Sequence, residues 1–364
     1  MKYRAVAQVD LNKIRQNYNY IKSLTDAKIM AVIKADAYGH GADRIGKELE
    51  KLGCENFAVA CLSEADYLRK SGIKSNILIL APTDASRRED IISGDFIQAT
   101  DSLEYTKQLT GNGNVRVHIK VDTGMSRIGI YCHSAADVLK AADEIEAITK
   151  VDGVITEGIF THFADSDSND RSYTEQQFSV FSALLAELEK RGVDVGIRHC
   201  CNSAGALQYP EMHLDMVRAG IILYGLTPSE HCKNENLKLA MKLSARVCAV
   251  HELKKGDFAS YGCAYKAERD TRVAVISIGY ADGFSRVYSG KELILINGKK
   301  YATAGRICMD LCIVDIGEND CAVGDEAIIF QTNEDIDRLA EAMGTINYEI
   351  LCSLKHRVEL EYIN

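Results

Sequence analysis

The stretch Ile29-Met30-Ala31-Val32-Ile33-Lys34-Ala35-Asp36-Ala37-Tyr38-Gly39-His40-Gly41 decides the fold. Five apolar residues run into a lysine, and two glycines bracket a histidine. Immediately downstream, Ala42, Ile45, Leu49 and Leu52 share one face of a helix. The pattern reads as a buried strand, a polar turn and an amphipathic helix. A lysine at the C-terminal end of a buried strand is costly unless its charge is paired or its pKa lowered, and a lowered pKa is what an amine needs to form a Schiff base. The plainer reading of Lys34 is a lysine that snorkels from a strand end.

Outward from this unit the pattern repeats. A short run with partial alternation at 5–11 lies outside the first repeat, and a helix is expected over 12–24. Strands are then expected near 29–33, 57–60, 77–80, 96–99, 115–121, 154–161, 197–200 and 216–218, with helical segments between them, among them 134–148 and 173–190. Eight strands alternating with helices predict a (β/α)8 TIM-type barrel. From about residue 240 the rhythm changes to strands at 245–253, 273–279, 292–296 and 302–316, with helical signals only at 336–343 and in the INYEIL stretch. The fold class is therefore α/β, an N-terminal barrel over 1–238 followed by a mainly β domain over 239–364. Residues 1–11 are candidates to pair with the second domain. Only three prolines and no Gly/Ser-rich linker occur, so the two halves are expected to pack rather than hang on a tether.

Composition narrows the function. The chain has 364 residues, 46% hydrophobic and 26% charged, enough for a large core. A net charge of −9 argues against nucleic acid or an anionic membrane surface as partner and leaves a small molecule as the simpler expectation. No apolar run approaches the ~18–20 residues of a membrane span, and the first residues, MKYRAVAQVDLNKI, lack a signal-like core, so a cytoplasmic location is expected. The 12 cysteines show no CxxC pair or zinc-like spacing. Reduced thiols and no metal are the expectation, although Cys200 and Cys201 are adjacent and Cys308 and Cys312 lie four apart in an apparent strand.

Lys34, Arg127, His162, Ser203 and Arg218 follow or close the first, fifth, sixth, seventh and eighth strands, the end at which barrels build active sites. Each has a plainer alternative. His162 is also what a hydrogen-bonded core histidine looks like, and Arg127 and Arg218 could be ion-pair residues. The Asp-Thr-Gly at 122–124 occurs in aspartic proteases too, but this chain has no second copy to share a proton.

The string KADAYGHG resembles the pyridoxal-phosphate lysine motif of the alanine racemases. Eight further strings resemble the same family in the same order: KVDTGMSRIG (120–129), THFADSD (161–167), NSAG (202–205), MVRAGIILYG (216–225), SYG (260–262), IGYADGFSR (278–286), GRICMD (305–310) and INYEILCS (346–353). Together they span nearly the whole chain.

The resemblance implies a pyridoxal 5'-phosphate enzyme with Lys34 as the Schiff-base lysine. It implies a phosphate held by Tyr38, Ser203, the backbone of Gly220 and Ile221, and Tyr348. Two bases are implied, Lys34 and a tyrosine of the other subunit, Tyr261, with His162 behind Tyr261 and Arg218 behind His162. Arg218 is further implied as donor to the cofactor's ring nitrogen; being permanently charged, it would leave the ring a weak electron sink and so suppress transamination and decarboxylation. Arg127, Met309 and Asp310 are implied at the substrate carboxylate, Lys120 as a carbamate-bearing lysine, and Tyr280, Arg286, Arg306, Asp167 and Ile346 along an entry channel. The implied partners are alanine and a second copy of the chain, in a homodimer with shared active sites. The implied role is supply of D-alanine for peptidoglycan. Leu311, Ala219 and Glu359-Leu360 depart from common family residues. A serine or broad-spectrum racemase is the nearest alternative, with a fold-related decarboxylase and a non-catalytic pyridoxal-phosphate carrier behind it.

Overall fold

A computed structural model describes residues 4–111 and 113–364. In chain order, β1 (Ala5–Asp10) and α1 (Leu11–Ser23) precede β2 (Lys28–Val32), α2 (Lys34–Gly39), α3 (Ala42–Lys51), β3 (Asn56–Val59), α4 (Leu62–Lys70) and β4 (Asn76–Ile79). Then come α5 (Arg88–Ser93), β5 (Ile97–Thr100), α6 (Leu103–Leu109), β6 (Val115–Asp122), the short β7 (Ile130–Tyr131) and α7 (Val138–Thr149). β8 (Val154–Phe160), α8 (Ser172–Lys190), β9 (Ile197–His199), α9 (Ser203–Gln208) and β10 (Met216–Ala219) follow. The chain divides into two compact units: residues 14–37 with 41–238, and residues 4–13 and 38–40 with 239–364.

The first unit is a barrel. Eight parallel strands run in the order β10-β2-β3-β4-β5-β6-β8-β9. Two backbone bonds draw the last and first together, Asp215 N–H to Arg198 O at 3.1 Å and Arg218 N–H to Cys201 O at 3.0 Å. The strands are almost continuously buried, as expected of a parallel sheet covered by its crossover helices. Those helices bury one face each: Ile45 and Leu49 on α3, and Val180, Phe181, Leu184 and Leu188 on α8. Each such side chain contributes about 1.5–3 kcal/mol by leaving water.

The turn after Lys34 departs from the sequence reading. Ala35, Asp36, Ala37 and Tyr38 all have φ between 51° and 54°, so this is one turn of left-handed helix built without glycine until Gly39. Such residues cost roughly 1–2 kcal/mol each. Side chains brace the turn from both ends. Glu64 accepts from Ala35 N–H and Ala60 N–H, both at 2.7 Å, and Asp36 Oδ1 accepts from Ala42 N–H at 2.7 Å.

The second unit is mainly β, built on β11 (Met241–Leu253), β12 (Phe258–Ala259), β13 (Tyr265–Lys266), β14 (Thr271–Ile276), β15 (Glu292–Ile296), β16 (Lys299–Ala302), β17 (Cys312–Asp315) and β18 (Glu326–Phe330). The helices α10 (Asn333–Met343) and α11 (Asn347–Cys352) and a final strand β19 (Glu359–Ile363) complete it. The 13-residue β11 organises the unit: its first half pairs with β1 and β18, its second half with β14. β1 is also paired in parallel with β19.

The single strand expected over 302–316 is wrong. β16 ends at Ala302 and β17 begins only at Cys312, so Cys308 lies in the intervening loop. Gly305, at φ 80°, turns the chain out of the sheet, and the segment that follows is held from outside. Tyr280 N–H donates to Cys308 O at 3.1 Å and Ala281 N–H to Met309 O at 3.0 Å. Gly279 allows this approach, since a Cβ there would lie 2.4 Å from Met309 O.

Candidate active site

In the barrel unit the candidates gather at one end of neighbouring strands. β10 pairs with β2 so that Arg218 lies opposite Met30 and Ala219 opposite Ala31. Lys34 and the Gly220-Ile221 turn therefore follow adjacent strands at the same end. Ser203, at the start of α9, is buried, and its Oγ accepts from Gly220 N–H at 2.9 Å. A hydroxyl and a backbone N–H of the kind that binds phosphate are thus already side by side.

Arg218 is 3% exposed and forms the centre of the cluster. Nη1 lies 2.9 Å from His199 Nδ1; Nη2 donates to Thr161 O at 2.9 Å and Cys200 O at 2.8 Å and lies 3.3 Å from His162 Nδ1. Among the described residues it has no carboxylate partner. Burial lowers it only to about 10, so it keeps its charge at neutral pH. Burial, followed by the charge of Arg218, holds His162 well below the ordinary histidine value, with Lys120, Arg127 and Lys34 adding to the effect. Lys120 is buried beside Phe160, its Nζ donating to Val121 O at 2.6 Å; burial, then Arg218, brings it down to about 7.

Arg127 is exposed, on a loop organised by Asp122. The Oδ1 of Asp122 accepts from the N–H groups of Gly124, Met125 and Ser126 at 3.1, 2.9 and 3.0 Å. The carbonyl of Asp167 accepts from Ser229 Oγ.

In the second unit the rings of Tyr38 and Tyr348 lie 6.0 Å apart. Tyr261 sits in the turn between β12 and β13, where Ser260, Gly262 and Cys263 all have positive φ. It is 69% exposed. With Ser260, Cys308, Met309, Asp310 and Leu311 it lines an open cavity of about 360 Å³. Asp310 is drawn instead into ion pairs: its carboxylate meets Arg357 at 2.7 Å, and Arg357 also reaches the buried Asp282 at 3.2 Å. Tyr280, Arg286, Arg306 and Ile346 are exposed on the same unit.

Sequence reasoning passed over His199 and His118. The signal was present: His118 and Lys120 are two apart on β6 and so share one face of the strand, a polar face where the barrel interior lies. Among the described residues no cluster of three or more His, Cys, Asp or Glu is placed to hold a metal, no helix is long and apolar enough to cross a membrane, and the 12 cysteines are free thiols.

Against known proteins, residues 9–228 match the family model for the alanine racemase N-terminal domain and residues 240–362 that for the C-terminal domain. The chain belongs to the alanine racemases. It is 41% identical to the alanine racemase of Clostridium perfringens, over 98% of this chain and 94% of that one. It is 42% identical to that of Desulfovibrio desulfuricans, over 98% and 97%. The solved alanine racemase of Clostridium difficile superposes with a TM-score of 0.94 at 38% identity, covering 100% of this chain and 96% of the other. The Bacillus anthracis alanine racemase with bound L-Ala-P gives 0.93 at 31% identity, with the same coverages. Alanine racemases are isomerases that interconvert L- and D-alanine, and this is the activity of the chain. Of the racemase readings left open by the sequence, these relatives support the alanine one.

Proposed function

We propose that racemisation runs between two acid/base groups, the Lys34 amine on one face of the substrate's α-carbon and the Tyr261 phenol on the other. Lys34 is also the anchor of pyridoxal 5'-phosphate. The observation that carries this reading is the pairing of β2 with β10, which brings Lys34 and the Ser203–Gly220 pair to the same end of adjacent strands. The barrel's own donors fit a dianionic phosphate: a buried hydroxyl and the N–H groups of Gly220 and Ile221. The phenols of Tyr38 and Tyr348, whose rings neighbour each other in the second unit, are the further phosphate donors that the family resemblance implies. When bound, the cofactor supplies the electron sink that makes the α-proton acidic.

The remaining roles belong to the chain's own side chains. Arg218 presents a permanent charge to the ring nitrogen and withholds a proton from it, which favours racemisation over transamination. His162, held neutral, accepts from Arg218 at Nδ1, which puts its proton on Nε2 to support the phenolate of Tyr261. Arg127 and the backbone at Met309 hold the substrate carboxylate, with Asp310 steadying that loop through Arg357. Tyr280, Arg286, Arg306, Asp167 and Ile346 guard the approach.

Tyr261 is supplied by the partner subunit of a homodimer. The exposed Tyr261, Met309, Leu311, Tyr280 and Ile346, all on the second unit, form the kind of apolar display that a partner covers. Lys120, its pKa brought down to about 7 so that a large share of its amine is neutral at neutral pH, adds carbon dioxide through that free amine with loss of one proton, and the resulting carbamate meets the charge of Arg127. The product, D-alanine, serves peptidoglycan synthesis in the cytoplasm.

Borohydride reduction of the cofactor-loaded protein followed by peptide mapping tests the anchor. The label is expected on Lys34, and a label on any other lysine overturns the assignment.

A further inference from the structure

Arg218 can donate hydrogen bonds but cannot accept them, and this property fixes the protons of every imidazole it reaches. Its Nη1 lies 2.9 Å from His199 Nδ1, so that nitrogen offers a lone pair and the proton of His199 is on Nε2. His199 Nε2 lies 2.9 Å from His118 Nδ1. His118 Nδ1 must then accept, and the proton of His118 is also on Nε2. The same logic leaves His162 protonated on Nε2, because its Nδ1 faces Nη2.

The two rings are held by packing. His199 stacks on Phe160 with centroids 4.8 Å apart and planes 2° from parallel. His118 lies against Gly158, where a Cβ would come within 2.7 Å of the imidazole.

We propose that His199 and His118 are positioning residues for Arg218: two neutral imidazoles in fixed tautomers that orient the guanidinium and leave its charge uncompensated. The functional consequence rests on the role assigned to Arg218 above. A carboxylate in place of His199 would aim the arginine equally well but cancel the charge it presents. Imidazole aims without neutralising. Burial keeps the pair uncharged, bringing His118 to about 3 and His199 well below its ordinary value.

The experiment uses the full chain labelled with 15N at histidine, without added cofactor. Long-range proton–nitrogen spectra, assigned by single substitutions, are expected to show His118, His162 and His199 all protonated at Nε2. A proton on Nδ1 of His199, or an imidazolium there, overturns the proposal whatever the enzyme's activity. Turnover supplies the second arm. His199→Asn keeps an acceptor where Nδ1 stood and is expected to retain most of kcat. His199→Gln carries its amide further out and is expected to lose on the order of 10²-fold in kcat, the scale of a 1 Å misplacement, with less change in KM. Equal kcat for the two at equal thermal stability removes the positioning role. If His199→Gln does not fold, Gly158→Ala, which presses on the His118 ring, is expected to lower kcat and shift the His118 signals. Unchanged values for both again overturn the proposal. Correct tautomers together with full activity in Arg218→Leu would instead sink the role given to Arg218.

Discussion

The barrel unit and the β unit carry their functional side chains in opposite ways. In the barrel, Arg218, His162, Lys120 and Ser203 are tied to neighbours in the same unit, and Arg218 alone meets two imidazoles and two carbonyls. In the β unit, Tyr261 and Met309 are 69% and 52% exposed, set on loops and outside any core. One set is organised by its own fold, while the other is displayed. Barrel residues should therefore be hard to change without a cost in stability, whereas displayed residues should separate activity from stability cleanly.

The largest effect expected is on the displayed side. Tyr261→Phe should lower kcat by roughly 10²–10⁴-fold, the usual contribution of a positioned acid/base. Its melting temperature should be unchanged, and a clear loss of stability would break the contrast. The display also predicts sharing. Mixing inactive Lys34→Ala and Tyr261→Ala chains under conditions of exchange should recover about a quarter of wild-type activity: half the dimers are mixed, and each has one of its two sites intact. No recovery despite demonstrated exchange would assign both bases to one chain.

Arg218→Leu should fail on both counts. Turnover should fall roughly 10²–10³-fold, as when a preorganised electrostatic donor is removed. Stability should fall as well, since buried acceptors left without a donor cost about 1–3 kcal/mol each. Denaturant titration checks the second effect, and undiminished stability would mean the arginine is not integral to the barrel.

Much of this contrast could be read from the sequence, and the parts that could not have physical causes. Buried parallel strands announce themselves by apolar runs, so β2, β3 and β6 were legible, as was the change of rhythm near residue 240. Lys34, Ser203 and Arg218 stood out because strand ends are where a barrel displays chemistry. The left-handed turn gave no warning. Glycine, and at times asparagine or aspartate, marks that conformation, but singly and not in a run, and Ala35, Ala37 and Tyr38 are none of these. The loop at 303–311 was hidden for a related reason: its apolar residues mimic a strand, while Gly305 and hydrogen bonds from Tyr280 and Ala281 decide otherwise. His118 and His199 went unread because what gives them a role, Arg218, is 100 residues away from His118 in the chain.

Lys120 sharpens the comparison through pH. Its folded value, about 7, lies below the ordinary lysine value of 10.5. Between those limits the unfolded chain binds the extra proton, so stability rises with pH there by at most about 1.4 kcal/mol per unit. Lys120→Met, in carbon dioxide-free buffer, should be most stabilised relative to wild type at and below pH 7. The gap should close as pH climbs toward 10.5. A gap independent of pH would mean that the lysine is not held neutral.

The smallest effect expected is Ala35→Gly. The residue is exposed with φ 51°, and glycine should relieve strain for a gain of up to about 1 kcal/mol, read by thermal melting. A loss instead would mean that the alanine holds Lys34 in place by stiffness.

The imidazole beside Arg218 also has a genetic meaning. Every histidine codon becomes an aspartate codon when its first base changes from C to G, and an asparagine codon when that base changes to A. At position 199 the first change installs a counter-ion against the buried arginine, and the second preserves its neutral acceptor. The barrel thus stands a single nucleotide from a version of itself in which that charge is cancelled. One codon, and no greater distance in sequence, separates the two versions.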